Sequence, residues 1–310
     1  MNIVILILLL LLLWIFFVMD KPQRMTLVEE YFIKNYSRFK LDSLGGWTLT
    51  PGGIPKIIIK TSWQNIDKMP KQMIDALNKT KTTSPDYQLY YFDNTDVIEF
   101  MKDYSPRAFA AYNKIIPGAF KADLFRVCIL EKYGGCYSDI GHTPLVSFNE
   151  INGLANVVLV KDCPVQQDTG NCDYYGIHNA LMCSIKNHGF FKLLVDKTCE
   201  NIENNYYGNG PLDVTGPVMI GKQFNCYFAD ICDYINKNFV NPGNFIYHDT
   251  NVKILNYAFK YKILDGNRLI LSTDGKIIID TKFKDYYEIM YRSNKTPSYT
   301  ELWNIKKIYN

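Results

Sequence analysis

The sequence predicts an α/β fold with a largely parallel sheet, contained in one domain of the size of an enzyme. The chain has 310 residues, of which 47% are apolar and 15% aromatic, so it can bury one large core. From about residue 54 onwards, short β-branched runs alternate with segments of helical periodicity. This alternation indicates βαβ units, because parallel neighbours need a crossover connection.

The first elements follow a strand, helix, strand order. IPKIIIKTSW, residues 54–63, is predicted as a buried strand that ends at Thr61 to Trp63. MPKQMIDALNKTK, residues 69–81, has apolar residues near helical spacing, and DYQLYYFD, residues 86–93, is the second predicted strand. A parallel pair of strands therefore begins the domain.

The clearest helix lies in PGAFKADLFRVCILEKYGG, residues 117–135, after a shorter helical segment at 94–104. A proline precedes it and two glycines end it, as is typical of helix boundaries. CYSDI, residues 136–140, is predicted to follow as a strand. The helix presents an apolar face made of Phe120, Leu124, Val127, Cys128 and Leu130.

The second half of the chain is less regular. NVVLV at 156–160 predicts a strand, the segment 179–202 has helical periodicity, and TGPVMIGKQF at 215–224 predicts a turn and a helix. FIYHD at 245–249 and KIIID at 276–280 are short predicted strands. These late strands are expected to cover one edge of the sheet.

The amino-terminal segment predicts a transmembrane helix. Residues 3–19 are 17 consecutive residues without a charge, at the short end of what spans a bilayer. The segment lacks the basic start and the small-residue cleavage site of a signal peptide, so an uncleaved anchor is the favoured interpretation. We expect a signal-anchor at 1–20, a stem at 21–53 and the catalytic domain at 54–310.

The membrane orientation has two opposing indications. Lys21 and Arg24 follow the apolar segment, which by the positive-inside tendency keeps the domain cytoplasmic. Glycosylation sequons at Asn35, Asn78 and Asn294 indicate a lumenal domain instead, although such triplets also arise by chance in a chain rich in Asn. The residues alone leave both orientations open.

Charge and cysteine content narrow the classes of partner. The net charge of +3 comes from 34 basic and 31 acidic residues without long single-sign blocks, which argues against nucleic-acid binding. The eight cysteines show no zinc-ligand spacing. If the domain is lumenal, Cys163 with Cys172, or Cys226 with Cys232, are candidates for local disulfides.

Charged residues cluster around the predicted helix and the strand after it. Asp123 and Arg126 are three positions apart and therefore neighbours on the helix surface, where an isolated ion pair contributes little. The helix leads directly into the strand that ends at Asp139, and ligands in open α/β sheets bind beyond the carboxyl ends of strands. The alternatives are thus a surface ion pair and part of a binding site.

The end of that strand carries a candidate cation ligand. Period-two alternation puts Tyr137, Asp139 and Gly141 on one face, with Ser138 on the other. A carboxylate there can hold a hard divalent cation, which would bind a diphosphate and neutralise its charge as it leaves. The alternative interpretation of Asp139 is a turn-forming residue.

Four blocks of sequence, taken in order, resemble glycosyltransferase family 32, the α-1,6-mannosyltransferase-like enzymes. The family shares a DxD sugar-binding region with the glucosyltransferase domains of clostridial toxins. The resemblance covers roughly residues 54–225 and includes TGPVMI at 215–220. Its blocks are IPKIIIKTSW at 54–63, SPDYQLYYFD at 84–93, AFKADLFRVCILEKYGGCYSDIG at 119–141 and HNALMCSIKNHGFFKLL at 178–194.

This resemblance implies a GT-A fold, that is, a Rossmann-like sheet that binds a nucleotide-activated sugar, here a UDP- or GDP-sugar. It also implies a divalent metal, usually Mn²⁺, retention of the anomeric configuration, and a lumenal domain of the secretory pathway. By the resemblance, Asp139 is the first Asp of DxD and Arg126 stabilises negative charge near the diphosphate, and both are predicted to be catalytic. Asp123 is expected to hydrogen-bond hydroxyl groups of the sugar. The implied donor-binding residues are Thr61, Trp63, Asp123, Arg126, Tyr137, Asp139 and Asn179.

The sequence departs from the family pattern at Gly141, which replaces the second Asp of DxD. His142 is the candidate substitute, so the predicted metal ligands are Asp139 and His142. Alternation points His142 to the other face unless the strand has ended at Gly141. The family's usual carboxy-terminal histidine ligand is not evident, although Tyr291 or Asn294 stands near its place.

Three functions remain as hypotheses from the sequence. The first is a retaining glycosyltransferase that transfers a sugar to a glycan, lipid or protein acceptor. The second is a catalytically silent descendant that binds a nucleotide sugar or glycan, with Gly141 as the lesion. The third is a structural membrane protein on an enzyme-like scaffold, for which Asp139 would have no role in donor binding.

Overall fold

The computed structural model describes residues 47–165, 174–229, 243–259, 268–292 and 297–310. The chain divides into two compact units, Met1–Ser37 and Arg38–Asn310, and every described residue belongs to the second. The predicted anchor at residues 3–19 and most of the predicted stem lie outside the described residues. Within the described ranges, no helix has the length and hydrophobicity needed to cross a bilayer.

The described strands form one sheet in the order β2-β1-β3-β7-β5-β9-β10-β11-β4, with β6 beside β5 and β8 beside β9. The strands are Ile57–Thr61 (β1), Gln88–Phe92 (β2), Gly135–Ser138 (β3), Thr143–Pro144 (β4), Val157–Val165 (β5), Tyr174–Ile177 (β6), Leu181–Ser184 (β7), Asn244–Tyr247 (β8), Thr250–Phe259 (β9), Arg268–Leu271 (β10) and Ile277–Asp280 (β11).

The fold is mixed α/β, and its sheet is only partly parallel. Strand β1 runs parallel to both β2 and β3, as the sequence predicts, and β5 runs parallel to β9. Strands β3 and β5 are both antiparallel to β7, and β9, β10, β11 and β4 are antiparallel in turn. The prediction of a largely parallel sheet is therefore wrong for the strands from β4 onwards, most of which pair in antiparallel fashion. Short connections between strands favour antiparallel pairing.

The helices lie mainly between the early strands and after β7. Their bounds are Lys71–Thr83 (α1), Asn94–Tyr104 (α2), Pro106–Lys114 (α3), Gly118–Tyr133 (α4), Phe148–Asn152 (α5), Gly189–Glu203 (α6), Pro217–Tyr227 (α7) and Tyr299–Asn304 (α8). Short 3₁₀ helices span Ile66–Lys68 and Pro211–Asp213, and a π-helix spans Glu288–Arg292. The predicted helices at 69–81, 94–104 and 117–135 are confirmed.

Helix α4 is buried on all sides, not on the single apolar face that the sequence predicts. Its buried residues include Asp123 and Arg126 together with the apolar set. A helix that packs against other elements all round must satisfy any charge it carries within the protein. The Asp123–Arg126 pair is therefore not a surface ion pair.

Two glycines join α4 tightly to β3. Gly134 and Gly135 have φ angles of 69° and 89°, which favour glycine because other residues are strained there. A Cβ atom on Gly135 would lie 2.2 Å from Cγ1 of Ile57 in β1. The missing side chains thus allow β3 to enter the sheet directly beside β1.

The sheet has two buried faces near β3. Ile59 and Tyr137 belong to the core cluster that contains the α4 side chains, and we call this side the α4 face. Ile58 and Cys136 belong to a second cluster on the other side, which we call the opposite face. Successive strand residues alternate between these faces, as the pleat requires.

The segment 179–202 differs from its prediction as one helix. Its first part forms the fully buried strand β7, Leu181–Ser184, and the helix begins only at Gly189. His188 caps that helix, because its side chain accepts a hydrogen bond from the Phe190 backbone. Residues 181–184 form a strand because they pair with β3, and local periodicity does not reveal such pairing between distant segments.

The described part of the chain includes five cysteine side chains and the sequon at Asn78. Cys226 has a free, exposed thiol; the side chains of Cys163, Cys172 and Cys232 lie outside the described part of the chain, so both predicted bridges stay predictions. Asn78 is half-buried within α1, and its side-chain oxygen is buried. N-glycosylation modifies exposed asparagines, so a half-buried position within a helix is a poor site.

Candidate functional site

The candidate site lies where β3 ends and a tight turn begins. The Asp139 amide donates to the Ala180 carbonyl at 2.8 Å, and the His142 amide donates to the Asp139 carbonyl at 3.0 Å. The turn Asp139–His142 therefore follows the carboxyl end of β3, beside the carboxyl end of β1. This is the edge of a parallel sheet at which ligands of α/β proteins bind.

Arg126 lies between two carboxylates on the α4 face. Its Nη2 atom is 3.3 Å from Asp123 Oδ1 and 3.5 Å from Asp139 Oδ1. Nη1 donates to the Asn179 carbonyl at 2.7 Å and Nε to the Ala122 carbonyl at 3.2 Å. Burial lowers the pKa of Arg126, but Tyr137, Asp139 and Asp123 raise it above its usual value, so the guanidinium is charged.

Asp123 is held by hydrogen bonds from two other elements. The Asn179 side-chain amide donates to Oδ1 at 2.8 Å, and the Thr215 hydroxyl donates to Oδ2 at 2.7 Å. Burial raises the pKa of Asp123 to about 6, although Arg126 and both hydrogen bonds lower it. The carboxylate thus links α4 to the residues just before β7 and α7.

Tyr137 connects Arg126 with Asp139. Its hydroxyl donates to Asp139 Oδ1 at 2.8 Å, and the Arg126 guanidinium lies 4.6 Å from the centre of its ring. Burial raises the pKa of Tyr137 well above its usual value, so the phenol is a neutral donor. The shared face of Tyr137 and Asp139 is the arrangement that strand alternation predicts.

The three charged side chains differ in accessibility. The Asp139 side chain is 34% exposed, whereas those of Arg126 and Asp123 are 6% and 10% exposed. Asp139 is thus the group of this cluster that a ligand reaches most readily. Arg126 and Asp123 lie deeper in the protein, where Arg126 contacts both carboxylates.

The predicted metal ligands are not brought together. The Asp139 carboxylate lies on the α4 face, but His142 Nδ1 lies 3.2 Å from the Ser138 hydroxyl on the opposite face. The His142 ring is almost fully buried, and this burial, followed by the charge of Lys60, lowers its pKa well below 6.5. The described residues therefore give Asp139 no histidine partner for a cation.

Gly141 also leaves no room for a second carboxylate. A Cβ atom there would lie 2.6 Å from Cε2 of Tyr286 and 2.9 Å from the Thr281 carbonyl oxygen. No group of three or more His, Cys, Asp or Glu residues within the described ranges is arranged to hold a metal. The described side chains thus do not fit the Mn²⁺ site that the family resemblance implies.

Thr61 and Trp63 lie at the end of β1, on the same edge as Asp139. The Thr61 hydroxyl donates to the Phe92 carbonyl at 2.8 Å, so it joins β1 to β2. Trp63 is 37% exposed and offers a ring on which a base can stack. Their role in holding a nucleotide stays a prediction, and among the described residues no hydrogen bond or ion pair joins either one to the Asp139 cluster.

Lys60 and Thr215 belong to the site and are missed by the sequence interpretation. Lys60 lies in β1 with no exposed surface, and burial lowers its pKa to about 7, while Asp139 raises it. The sequence does contain a signal for Lys60, because a lysine inside a strand that is predicted to be buried must find oxygen partners for its amino group. Thr215 gives no comparable signal, because its partner Asp123 is distant in sequence.

Residues 70–158 match one family model. It is described as the glycosyltransferase sugar-binding region containing the DXD motif. The matched region covers less than a third of the chain, and it contains Asp123, Arg126 and Asp139 but not Asn179 or Thr215. No curated protein matches the chain in sequence.

Two solved structures resemble parts of the chain. "PaToxG Glycosyltransferase" shares 16% identity over 59% of this chain and 73% of its own, with a TM-score of 0.44. The UDP-bound glycosyltransferase domain from the YGT toxin shares 15% identity over 50% of this chain and 52% of its own, with a TM-score of 0.28.

Proposed function

We propose that the chain is a retaining glycosyltransferase that moves a sugar from a UDP- or GDP-sugar to a glycan, lipid or protein acceptor. One observation carries the proposal: the accessible Asp139 carboxylate is fixed by Tyr137 and Arg126 at the carboxyl end of β3. All three residues lie inside the region that matches the DXD sugar-binding model. Folding alone does not require two carboxylates around one buried guanidinium.

Positioning and electrostatic stabilisation supply the catalysis in this proposal. Asp139 accepts hydrogen bonds from hydroxyl groups of the donor, which a carboxylate binds well without a cation. Arg126 places a permanent positive charge near the bond to the leaving nucleoside diphosphate. Asn179 and Thr215 keep Asp123, and through it Arg126, in place. We assign no step to a metal, because the described side chains do not form a site for one.

The second candidate function is a silent nucleotide-sugar or glycan binder. This function is favoured by the position of Tyr286, whose ring would clash with any side chain at position 141. The ring therefore occupies the space that the second carboxylate of a DxD motif would need. Against it stands the cluster of Asp123, Arg126 and Asp139, which retains its charges and one accessible carboxylate. Donor turnover separates the two functions.

The test measures hydrolysis and transfer of a panel of UDP- and GDP-sugars by the full chain, with Mn²⁺ and with EDTA. We expect turnover of one donor, and a loss of about 100-fold or more in Asp139→Asn, as is typical when a key transition-state contact is removed. Asp75→Asn, an exposed carboxylate paired with Lys71 in α1, is the matched control and should behave like the wild type.

Two results would contradict the transferase. Turnover that survives in Asp139→Asn would separate the activity from this site. Tight donor binding without turnover under any metal condition would establish the silent binder instead. The donor that is turned over identifies the base and the sugar that the enzyme accepts.

We also propose that residues 3–19 anchor the protein as a single span, with the domain at 54–310 in the lumen of the secretory pathway. The uncharged length of the segment supports the anchor, and the family resemblance supports the orientation. Extraction of cell membranes with alkaline carbonate should leave the full chain in the pellet. Protease added to sealed vesicles should spare the domain, and its digestion there would place it on the cytoplasmic side.

A further inference from the structure

A buried lysine lies directly behind the turn that carries Asp139. Lys60 occupies β1 with 0% exposure, among isoleucines that fill the same strand. Burying an amino group is costly unless its hydrogen bonds are made inside the protein. Lys60 must therefore have hydrogen-bond partners inside the protein, and these partners indicate its structural role.

All the hydrogen bonds of the Lys60 amino group go to one short segment. Nζ lies 2.9 Å from the Asp139 carbonyl, 3.2 Å from the His142 carbonyl and 3.3 Å from the Ser138 hydroxyl. A protonated lysine has three N–H groups and no acceptor, so these three oxygens use its full capacity. Lys60 ties both ends of the turn Asp139–His142 to the neighbouring strand.

The arrangement places Lys60 and the Asp139 carboxylate on different sides of the strand end. Lys60 and the Ser138 hydroxyl meet on the opposite face, whereas the Asp139 side chain meets Tyr137 on the α4 face. Parallel pairing of Ile59 with Tyr137 brings the two segments into register. Lys60 thus holds the backbone of Asp139 without access to a ligand.

We propose that Lys60 is a positioning residue for the transfer reaction, which fixes the turn so that the Asp139 carboxylate meets the donor in one orientation. This inference rests on the proposed function. It differs from a general role in stability, because the effect of Lys60 on the reaction must pass through Asp139. Small misplacements of a contact group reduce rates strongly even when the substrate still binds.

The test is a double-mutant cycle in the full-length protein between Lys60→Met and Asp139→Asn. Methionine is an unbranched, flexible side chain one atom shorter than lysine, and it carries no N–H group. We expect Lys60→Met to lower kcat/KM by about 30-fold in the wild-type background and by less than about threefold in the Asp139→Asn background. Lys60→Arg, which keeps the N–H donors, should recover part of the loss. Lys192→Met, an exposed lysine of α6, is the control and should match the wild type.

The outcomes separate the two proposals. If the wild type turns over a donor and Lys60→Met matches Lys192→Met, only the role of Lys60 is wrong. Equal losses in both backgrounds would show that Lys60 acts on the fold in general, and would also overturn it. If the wild type turns over no donor, the proposed function fails, and the positioning role fails with it.

A milder variant keeps the test decisive if Lys60→Met does not fold, as judged by circular dichroism. Ser138→Ala removes one of the three oxygens that Lys60 contacts and leaves the lysine in place. We expect a loss of about threefold in kcat/KM that disappears in the Asp139→Asn background. A loss of the same size in both backgrounds would overturn the proposal.

Discussion

The two faces of the sheet at the end of β3 handle charge in different ways. On the α4 face, Arg126 is shared between Asp123 and Asp139, and one of these carboxylates is partly exposed. On the opposite face, Lys60 contacts two backbone carbonyls and one hydroxyl, and no part of it is exposed. The α4 face thus offers an accessible carboxylate, whereas the opposite face fixes the backbone of the turn that carries this carboxylate.

Loss of the guanidinium should produce the largest effect on stability. Arg126→Met leaves Asp123 and Asp139 without their shared cation, and removing one partner of a buried pair costs about 3–5 kcal/mol. Lys60→Met leaves only neutral oxygens unpaired, which costs about 1–3 kcal/mol. Urea unfolding of both variants measures the difference.

A further variant checks the cause of this loss. Asp123→Asn combined with Arg126→Met removes one of the unpaired carboxylates, so the double variant should be more stable than Arg126→Met alone. If Lys60→Met is the more destabilising single change, the contrast between the two faces is wrong.

The pH dependence of stability should report Asp123 on the α4 face. Burial raises its pKa from the usual 3.8 to about 6, so the folded protein holds a proton that the unfolded chain releases between about pH 4 and 6. This carboxyl therefore makes stability fall as the pH rises through that window. At about 1.4 kcal/mol per pKa unit, the full contribution is about 3 kcal/mol.

Asp123→Asn removes this titration. Relative to the wild type, its free energy of unfolding should increase by about 2–3 kcal/mol between pH 4 and pH 7. Urea unfolding at a series of pH values gives the two profiles. Parallel profiles would mean that Asp123 is ionised in the folded protein over the whole range.

Restoring the second acid of DxD should have the smallest of the three effects. In Gly141→Asp the new side chain meets Tyr286 and the Thr281 carbonyl, and such overpacking costs about 1–3 kcal/mol. Gly210→Asp is the matched control, because a Cβ atom there has no neighbour within 4 Å. Thermal unfolding compares the two variants.

The same variant tests how the site depends on metal. We expect Mn²⁺ to change donor turnover by Gly141→Asp no more than it changes turnover by the wild type, since the Tyr286 ring displaces the added carboxylate from Asp139. A wild-type melting temperature together with new stimulation by Mn²⁺ would show that the turn is open to a second ligand.

The sequence predicts the first part of the fold well because its signals are local. The strand at 54–63, the helix at 117–135 and the shared face of Tyr137 and Asp139 follow from periodicity and from the glycines that end α4. The central helix is harder, since burial of its charged residues depends on partners such as Thr215. Local sequence patterns predict that a helix forms. They do not predict whether the rest of the protein buries one face of that helix or all of them.

The remaining features depend on contacts between distant positions. Lys60 meets the turn at Asp139, Tyr286 fills the space at Gly141, and β7 becomes a strand by pairing with β3. None of these contacts has a periodic signature, because each joins segments from separate parts of the chain. The sequence shows a glycine at position 141, where the DXD pattern has its second Asp, but it does not show that the Tyr286 ring lies beside this glycine.

The contact between Gly141 and Tyr286 has a consequence for protein synthesis. Strands β1, β2 and β3, with Asp139 at their edge, leave the ribosome early, whereas Tyr286 follows only after nearly half of the chain has been added. The nascent protein can therefore pair its first strands while the surface beside Gly141 is still uncovered. Until Tyr286 has been synthesised, a nascent chain contains both acidic residues of the site, Asp123 and Asp139, but not the aromatic ring beside Gly141.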